Sequence, residues 1–378
     1  MPMLKSYKYL ACLALSVAAC LIAEAQPAAT GTTHSPRYAK NFEITHFATH
    51  RIATIRNQHR STATHQYALV PKDAPLPDLP ADIPVIRTPV ERVVAMETVY
   101  IGYLEALGKL DTIIGAATAN YISNADVRAA IEDGSIQTVQ SGAALNIERM
   151  LLLQPDLILT SISGDPAFDI SAKLARSGLP VVLSAGYMEQ HPLARSEWIK
   201  FIAAFFDADA QATDRFDTIA ARYETLRHTV QQVQHPPTVF CGAPYSGAWH
   251  MAGGESYTAQ AIRDAGGHYL WSDTASSGAI PLDTERVFLK AAHADIWINP
   301  SFYQSRNELY AADARFSKFH AAQSGYVFNN TKQRSASGAN PIWEKGMVQP
   351  DDVLADLIKV FHPELMPDSE FIYYEQLK

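Results

Sequence analysis

One motif occurs twice in this chain. Residues 145–160 read LNIERMLLLQPDLILT, and residues 282–298 read LDTERVFLKAAHADIWI. Each copy places a leucine, two spacers, a Glu-Arg pair and apolar positions at helical spacing ahead of an apolar run of buried-strand type. Each also sets an aspartate, Asp156 or Asp295, just before that run. A duplicated helix–strand unit of this kind constrains the chain to two similar lobes facing each other. Two-lobed chains place a ligand in the cleft between the lobes, so the repeat bears on function as well as on fold.

The 378 residues leave room for about two domains of ordinary size. With 47% apolar and 19% charged residues, the composition is that of a globular protein. A net charge of −8 opposes nucleic acid or an anionic membrane surface as the main partner, because both select a basic field. Of three cysteines, Cys12 and Cys20 lie in an N-terminal apolar stretch, which leaves Cys241 alone in the body. A lone cysteine makes neither a disulfide framework nor a Cys-based zinc site, and Cys241 is read as buried and structural. No metal site and no cofactor are expected.

The first 25 residues read as a signal peptide. Lys5 and Lys8 form its basic start, and Tyr9 to Ala23 is an apolar run too short to span a bilayer. Two exits stay open. Val17-Ala18-Ala19-Cys20 resembles a lipobox that would make Cys20 a lipid anchor, whereas Ala23-Glu24-Ala25 suits cleavage before Gln26. Either one sends the chain out of the cytoplasm.

Residues 26–89 divide into a polar tether to residue 40, a stretch over 41–70 alternating with period two, and a connector with six prolines over 71–89. The alternation predicts an antiparallel β extension and the prolines a stiff spacer. The first lobe, 90–192, begins with a short strand at Arg92–Met96 and a helix over Thr98–Leu107 closed by Gly108. A strand over Asp111–Ala116 follows, then the first repeat and a strand over Leu179–Leu183. Residues 193–235 contain no proline and carry helical spacing with a weak break near Asp207-Ala208-Asp209. They are expected to form one long helix, or two nearly continuous ones, between the lobes. The second lobe, 236–378, repeats the first, with a strand at Thr238–Cys241, a helix from Ser256 to Ala265, the second repeat, a strand at Val327-Phe328 and a final helix over 350–361. The expected fold is α/β: two Rossmann-like lobes joined by a long linking α-helix, with an N-terminal β extension.

Three sets of residues carry a family resemblance. They are Asn146-Ile147-Glu148-Arg149 with Gln154-Pro155-Asp156-Leu157-Ile158; Gly254-Glu255-Ser256 followed by Ala265-Gly266-Gly267; and the run from Trp343 to Asp351 leading to His362-Pro363-Glu364. In this order and spacing, over roughly residues 90–365, the chain resembles the substrate-binding proteins of ABC importers. It is most similar to the helical-backbone class that binds iron–siderophores, haem and cobalamin. The β extension departs from the shortest members, and the resemblance assigns it no role. It implies a periplasmic monomer, free or held to the membrane only by a lipid on Cys20, that captures a metal chelate and delivers it to an inner-membrane permease. It also implies that Glu148 and Glu255 meet arginines of the permease, whereas Glu285, at the repeat position of Glu148, has no docking role and begins a helix.

In α/β lobes, ligands sit beyond the carboxyl ends of parallel strands. The segments found there are Met96-Glu97-Thr98, Asn120-Tyr121, Ser161 to Gly164, Gly186-Tyr187, Tyr245, Trp249-His250, Trp271, Phe302-Tyr303 and Asn329 to Arg334. This set is rich in aromatics and modest in charge, which suits a large, partly planar chelate. The candidate ligand contacts are Tyr121, Trp249 and Tyr303 first, then Met96, Tyr187, His250 and Arg334. His250 offers an imidazole for a cargo metal or stands as a wall residue, and Arg334 suits an anionic group or a solvated loop. Trp271 and Trp343 are read as core, and His46 and His50 as surface. An exported two-lobed enzyme, or a binding protein for another ligand, is the rival reading. The chain contains no Gly-x-Ser-x-Gly elbow, Walker loop or His-Glu-x-x-His to support an enzyme, and no catalytic residue is expected.

Overall fold

The structure is a computed structural model that describes residues 31–56, 64–142, 144–162, 174 and 176–378. Cys20, the whole signal segment and Gly164 lie outside the described residues.

Each lobe is built on a five-stranded sheet with a parallel core. In the first lobe the order is β12 (Val181–Ser184), β11 (Leu157–Ser161), β6 (Val93–Ala95), β7 (Ile113–Ala116) and β8 (Gln137–Thr138), all parallel. A small hairpin, β9 (Gln140–Ser141) and β10 (Ala144–Leu145), follows the edge strand. In the second lobe the order is β16 (His268–Tyr269), β13 (Thr238–Cys241), β18 (Ile296–Ile298), β19 (Val327–Asn329) and β20 (Glu375–Gln376), with only β20 antiparallel. An antiparallel set, β14 (Pro244–Tyr245), β15 (Ala248–Ala252) and β17 (Ala279–Leu282), is added to this lobe.

The duplicated aspartates do the same work in both lobes. Asp156 Oδ2 accepts from the backbone N–H groups of Glu91 and Arg92 at 2.9 and 3.1 Å, fixing the start of β6 beside β11. Asp295 Oδ2 accepts from Thr238 N at 2.7 Å and Thr238 Oγ1 at 2.6 Å, fixing the start of β13 beside β18. One short side chain before each repeat strand thus sets the register of the neighbouring central strand. The repeat helices, α3 (Ile147–Leu153) and α7 (Thr284–Ala291), precede these junctions; α3 is capped by Asn146, whose side chain accepts from Arg149 N at 2.9 Å. A second equivalence links α1 (Thr98–Ala106) and α6 (Tyr257–Asp264). A glutamate stands at position 97 or 255 before each, and a glycine at positive φ closes each at the same spacing, Gly108 (63°) and Gly266 (77°).

The linking segment forms two helices, α4 (Pro192–Ala203) and α5 (Asp209–Thr229), of the alternatives the sequence leaves open. They are not nearly continuous: α5 doubles back along α4. His191, at the start of α4, lies 6.0 Å ring to ring from Tyr223 late in α5, and Lys200 Nζ sits 4.4 Å from the Phe216 ring centre. Asp207 turns the corner with φ of 53°. Arg51 of the N-terminal extension holds that corner, bonding Asp209 Oδ2 at 2.7 Å, Ala204 O at 2.8 Å and the Asp207 carboxylate. Helical spacing survives across the turn, so periodicity alone did not reveal it.

The N-terminal extension is a five-stranded sheet ordered β1 (Thr32–His34), β2 (Phe42–His46), β3 (Arg51–Arg56), β4 (Thr64–Pro71) and β5 (Val85–Thr88). The first four strands run antiparallel, and β5, inside the proline-rich connector, returns parallel to β4. Residues expected to be a flexible tether are pinned. The fully buried Glu197 accepts from the backbone N–H groups of Arg37, Tyr38 and Ala39 at 2.7–3.0 Å. Glu189 Oε1 accepts from Lys40 N, Asn41 N and Trp198 Nε1. Phe42 then packs on Trp198 and Phe201 at 4.9 and 5.6 Å. Buried carboxylates need such partners, and the strand entry supplies them.

The lobes are also tied through the C-terminal segment. Glu344, 2% exposed, accepts from Ser123 N and Asn124 N of the first lobe, each at 2.9 Å. Ser196 Oγ of α4 donates to Val348 O at 2.6 Å. α1 approaches the same segment so closely that a Cβ on Gly102 would stand 2.4 Å from Glu344 O.

Candidate functional site

Between the lobes lies a cavity of about 700 Å³. Tyr187 and Arg195 line it from the first lobe and α4, and Tyr257, Asn299, Asn330 and Tyr374 from the second; Trp343 and Met347 come from the C-terminal segment. A smaller cavity of about 320 Å³ shares Tyr187, Arg195, Trp343 and Met347 with it and continues to Glu97, Tyr100, Tyr103, Ser161 and Ser184. The combined space suits a drug-sized or larger ligand held by rings and a few polar groups.

The turn after β6 supplies the polar floor. Glu97 Oε1 accepts from Thr160 Oγ1 and Ser161 N, both at 3.2 Å. Tyr100 OH and Ser161 Oγ lie 2.9 Å apart. Burial pushes the Glu97 carboxyl up to about 7, against the pull of the Ser161 N–H and the Thr160 hydroxyl, which favour the ion. The Tyr100 hydroxyl is pushed well up, first by burial and then by the nearby Glu97 charge. Arg195 projects from α4 between the cavities. Its Nε donates to Glu189 O at 3.0 Å, and its guanidinium lies 4.2 Å from the Tyr257 ring centre. Burial lowers its proton affinity; nearby tyrosines and Glu189 act in the opposite sense.

The residues chosen from the sequence divide sharply. Tyr187 is exposed and lines both cavities. Tyr121, 62% exposed, gathers with Arg334 and Phe302: a side chain at Gly338 would meet Tyr121 and Arg334 at 3.8 Å each, and the Arg334 guanidinium lies 5.3 Å over the Phe302 ring. This group stands outside the lining of both cavities. Tyr303 is half-buried against the second-lobe core, and its carbonyl accepts from Asn329 Nδ2 at 2.7 Å. His250 is exposed on β15 opposite Pro281, also away from the cavities.

Two expectations are corrected outright. Trp249 is fully buried, donates through Nε1 to Cys241 O at 3.0 Å, and packs among Trp297, Phe316 and Phe319. It lies on β15, whose alternation sends Trp249 and Met251 inward and His250 outward. Met96 is 5% exposed and packs with Val94, Ala117 and Met150; the next residue, Glu97, is the one that faces the cleft. Trp343, read as core, is 53% exposed and lines both cavities. Trp271 is buried. Arg195 escaped notice because its signal, one cation within a buried helical stretch, looks like a solvated residue.

Glu148, in the first turn of α3, is exposed and makes no ion pair among the described residues. Glu255, just ahead of α6, is likewise exposed and unpaired among the described residues. Glu285 pairs with Arg315 at 3.0 Å. Among the described residues no helix is long and apolar enough to cross a membrane.

Comparison with known proteins agrees with this architecture. A family model described as "periplasmic binding protein" matches residues 93–333. An uncharacterized lipoprotein of Methanocaldococcus jannaschii is 25% identical over 316 residues, which cover 79% of this chain and 73% of that protein. The crystal structure of a periplasmic heme binding protein from Pseudomonas aeruginosa superposes with a TM-score of 0.57 at 17% identity, covering 76% of this chain and 98% of that one. A possible iron-binding, periplasmic solute-binding protein from Staphylococcus epidermidis gives 0.54 at 19% identity, covering 70% and 98%.

Proposed function

Because the chain belongs to the periplasmic binding protein family, we propose that it captures a metal chelate in the interlobe cleft and delivers it to an inner-membrane ABC permease. The candidate cargoes are a ferric siderophore, haem and cobalamin. The observation that carries this reading is the cavity of about 700 Å³ lined from both lobes, with aromatic rings and few charges. The neighbours described as heme-binding and iron-binding point to the same cargo class.

Glu148 and Glu255 are the proposed permease contacts, since both are exposed and leave their carboxylates unpaired among the described residues. Exposed pairs of this kind contribute on the order of 0–1 kcal/mol each and act through steering and register. Reversal of both to arginine should lower uptake while ligand affinity holds; loss of affinity together with uptake would sink the assignment. Export leaves the protein periplasmic, free or tethered through Cys20. Mass analysis of the mature N-terminus distinguishes a diacylated Cys20 from a chain beginning at Gln26.

The cargo is tested by titrating the purified protein with hemin, cyanocobalamin and ferric desferrioxamine B while following tryptophan fluorescence. Trp343, exposed at the junction of the two cavities, is the expected reporter. Binding of one chelate with quenching that Trp343→Phe removes supports the reading. No response to any chelate, by fluorescence or calorimetry, overturns it. The Glu344 tie between the lobes and the Ser196 tie from the linking helix to the C-terminal segment further imply small closure on binding. Scattering profiles with and without ligand should nearly coincide.

A further inference from the structure

The smaller cavity holds an acid that the delivery reading leaves unused. Glu97 Oε1 is satisfied by Thr160 and Ser161, but Oε2 is buried and has no hydrogen-bond partner. A buried acceptor left unmade is costly and calls for a partner the bare fold does not supply. The side chain lines the cavity, so a group seated there is the partner the fold leaves available to this carboxyl. The same cavity is lined by Arg195, whose guanidinium packs on Tyr257 and forms no ion pair with a carboxylate among the described residues. Tyr100, Tyr103, Tyr187 and Trp343 supply the aromatic part of the remaining lining.

The cavity therefore presents one unfilled acceptor, one unfilled donor and aromatic walls. A carboxylate of the ligand would meet Arg195 well but face the acceptor of Glu97. An ammonium would meet Glu97 well but face the guanidinium. A neutral, planar group with a donor edge and an acceptor edge satisfies both. We infer that this cavity is a subsite for a primary carboxamide on the periphery of the bound chelate, its N–H donating to Glu97 and its carbonyl accepting from Arg195. The inference rests on the chelate-capture reading above.

The test compares two probes on the full chain: cyanocobalamin, which bears primary carboxamides and no free carboxylate, and hemin, which bears carboxylates and no carboxamide. At pH 8.5, cyanocobalamin should bind more tightly than hemin. Glu97→Gln replaces the acceptor by a donor at nearly constant size, so it should weaken cyanocobalamin at least tenfold and strengthen hemin. Arg195→Leu should weaken both. A measurement on unaltered protein guards against misfolded variants: burial holds the Glu97 carboxyl near 7, so cyanocobalamin affinity should rise several-fold from pH 5.5 to 8.5. Tighter hemin binding, or a cyanocobalamin affinity unmoved by both Glu97→Gln and pH, overturns the carboxamide subsite. Binding of ferric desferrioxamine B alone would overturn the subsite and leave chelate capture standing. Failure of all three chelates would overturn the capture reading beneath it as well.

Discussion

Replacing Glu344 by alanine should loosen the joint between the lobes, and the size of the effect can be worked from its surroundings. The carboxylate is 2% exposed and accepts two backbone N–H bonds, from Ser123 and Asn124, at 2.9 Å each. It thereby caps the entry to α2 (Ala125–Glu132), whose first turn favours negative charge. Hydrogen bonds to a charged group contribute about 1.5–3 kcal/mol each. Two terms reduce that sum. Ser123 and Asn124 are half-buried, so water recovers part of what alanine removes. Burial also opposes the charge, and it is the largest influence raising the carboxyl above its usual range. The net loss for Glu344→Ala is therefore expected near 2 kcal/mol, whereas neutral Glu344→Gln, which keeps one acceptor, should lose about half of that. Urea unfolding at pH 7 reads the midpoint and slope. Scattering of the folded protein should also show a broader interlobe distribution in Glu344→Ala. A loss below about 0.5 kcal/mol, the size of an ordinary surface substitution, with an unchanged scattering profile, would refute the view that this residue joins the lobes.

Other predictions follow from single contacts. The Glu97 carboxyl is held at about 7 when folded against 4.5 ordinarily, so its contribution to stability is full below pH 4.5 and is lost as pH rises through 7. The loss is up to about 3 kcal/mol, and the stability difference between the native chain and Glu97→Gln should change by that order between pH 4 and 8.5. Trp249→Phe should cost about 1–3 kcal/mol through lost packing while leaving chelate affinity intact, because the ring is buried away from the cleft; a large drop in affinity without unfolding would restore Trp249 to the site. Gly102→Ala should destabilise by about 1–3 kcal/mol, since the new Cβ meets the Glu344 carbonyl at 2.4 Å, and a crystal structure of the variant should show the 341–348 segment displaced from α1. Asp295→Ala should cost about 1–2 kcal/mol by freeing the Thr238 N–H and hydroxyl at the start of β13, measured by thermal unfolding.

Much of the fold was legible because it is written in local periodicity. The two copies of Leu-x-x-Glu-Arg with their following aspartates marked one helix–strand unit in each lobe, and the structure adds that each aspartate stitches the neighbouring central strand. The family followed from the order of short motifs along the chain. Other elements escaped because local pattern did not hold the deciding contact. The turn between α4 and α5 depends on Arg51, more than a hundred residues upstream, which holds Asp207 and Asp209 at the corner. The ordering of residues 37–41 depends on Glu189 and Glu197, acids that look solvated until a strand covers them.

The site divides the same way. The sequence alone pointed to the turns that carry Glu97, Ser161 and Tyr187, which line the cavities, and equally to the segments of Tyr121, His250 and Phe302, which do not; Glu148 and Glu255 stand apart from Glu285 as proposed contacts. Which side chain of each turn faces the cleft was a tertiary decision. A shift of one residue in strand or turn exchanges interior for surface, and that shift hid Met96 and Trp249 while turning Glu97 and His250 outward from the core. Arg195 and Trp343 reach the cavity only because a linking helix and a C-terminal segment meet there. The chain determined by itself that there would be two lobes and a cleft, since burying a repeated apolar face is a local requirement met twice. Only the packing of distant segments decided what the cleft presents to a ligand.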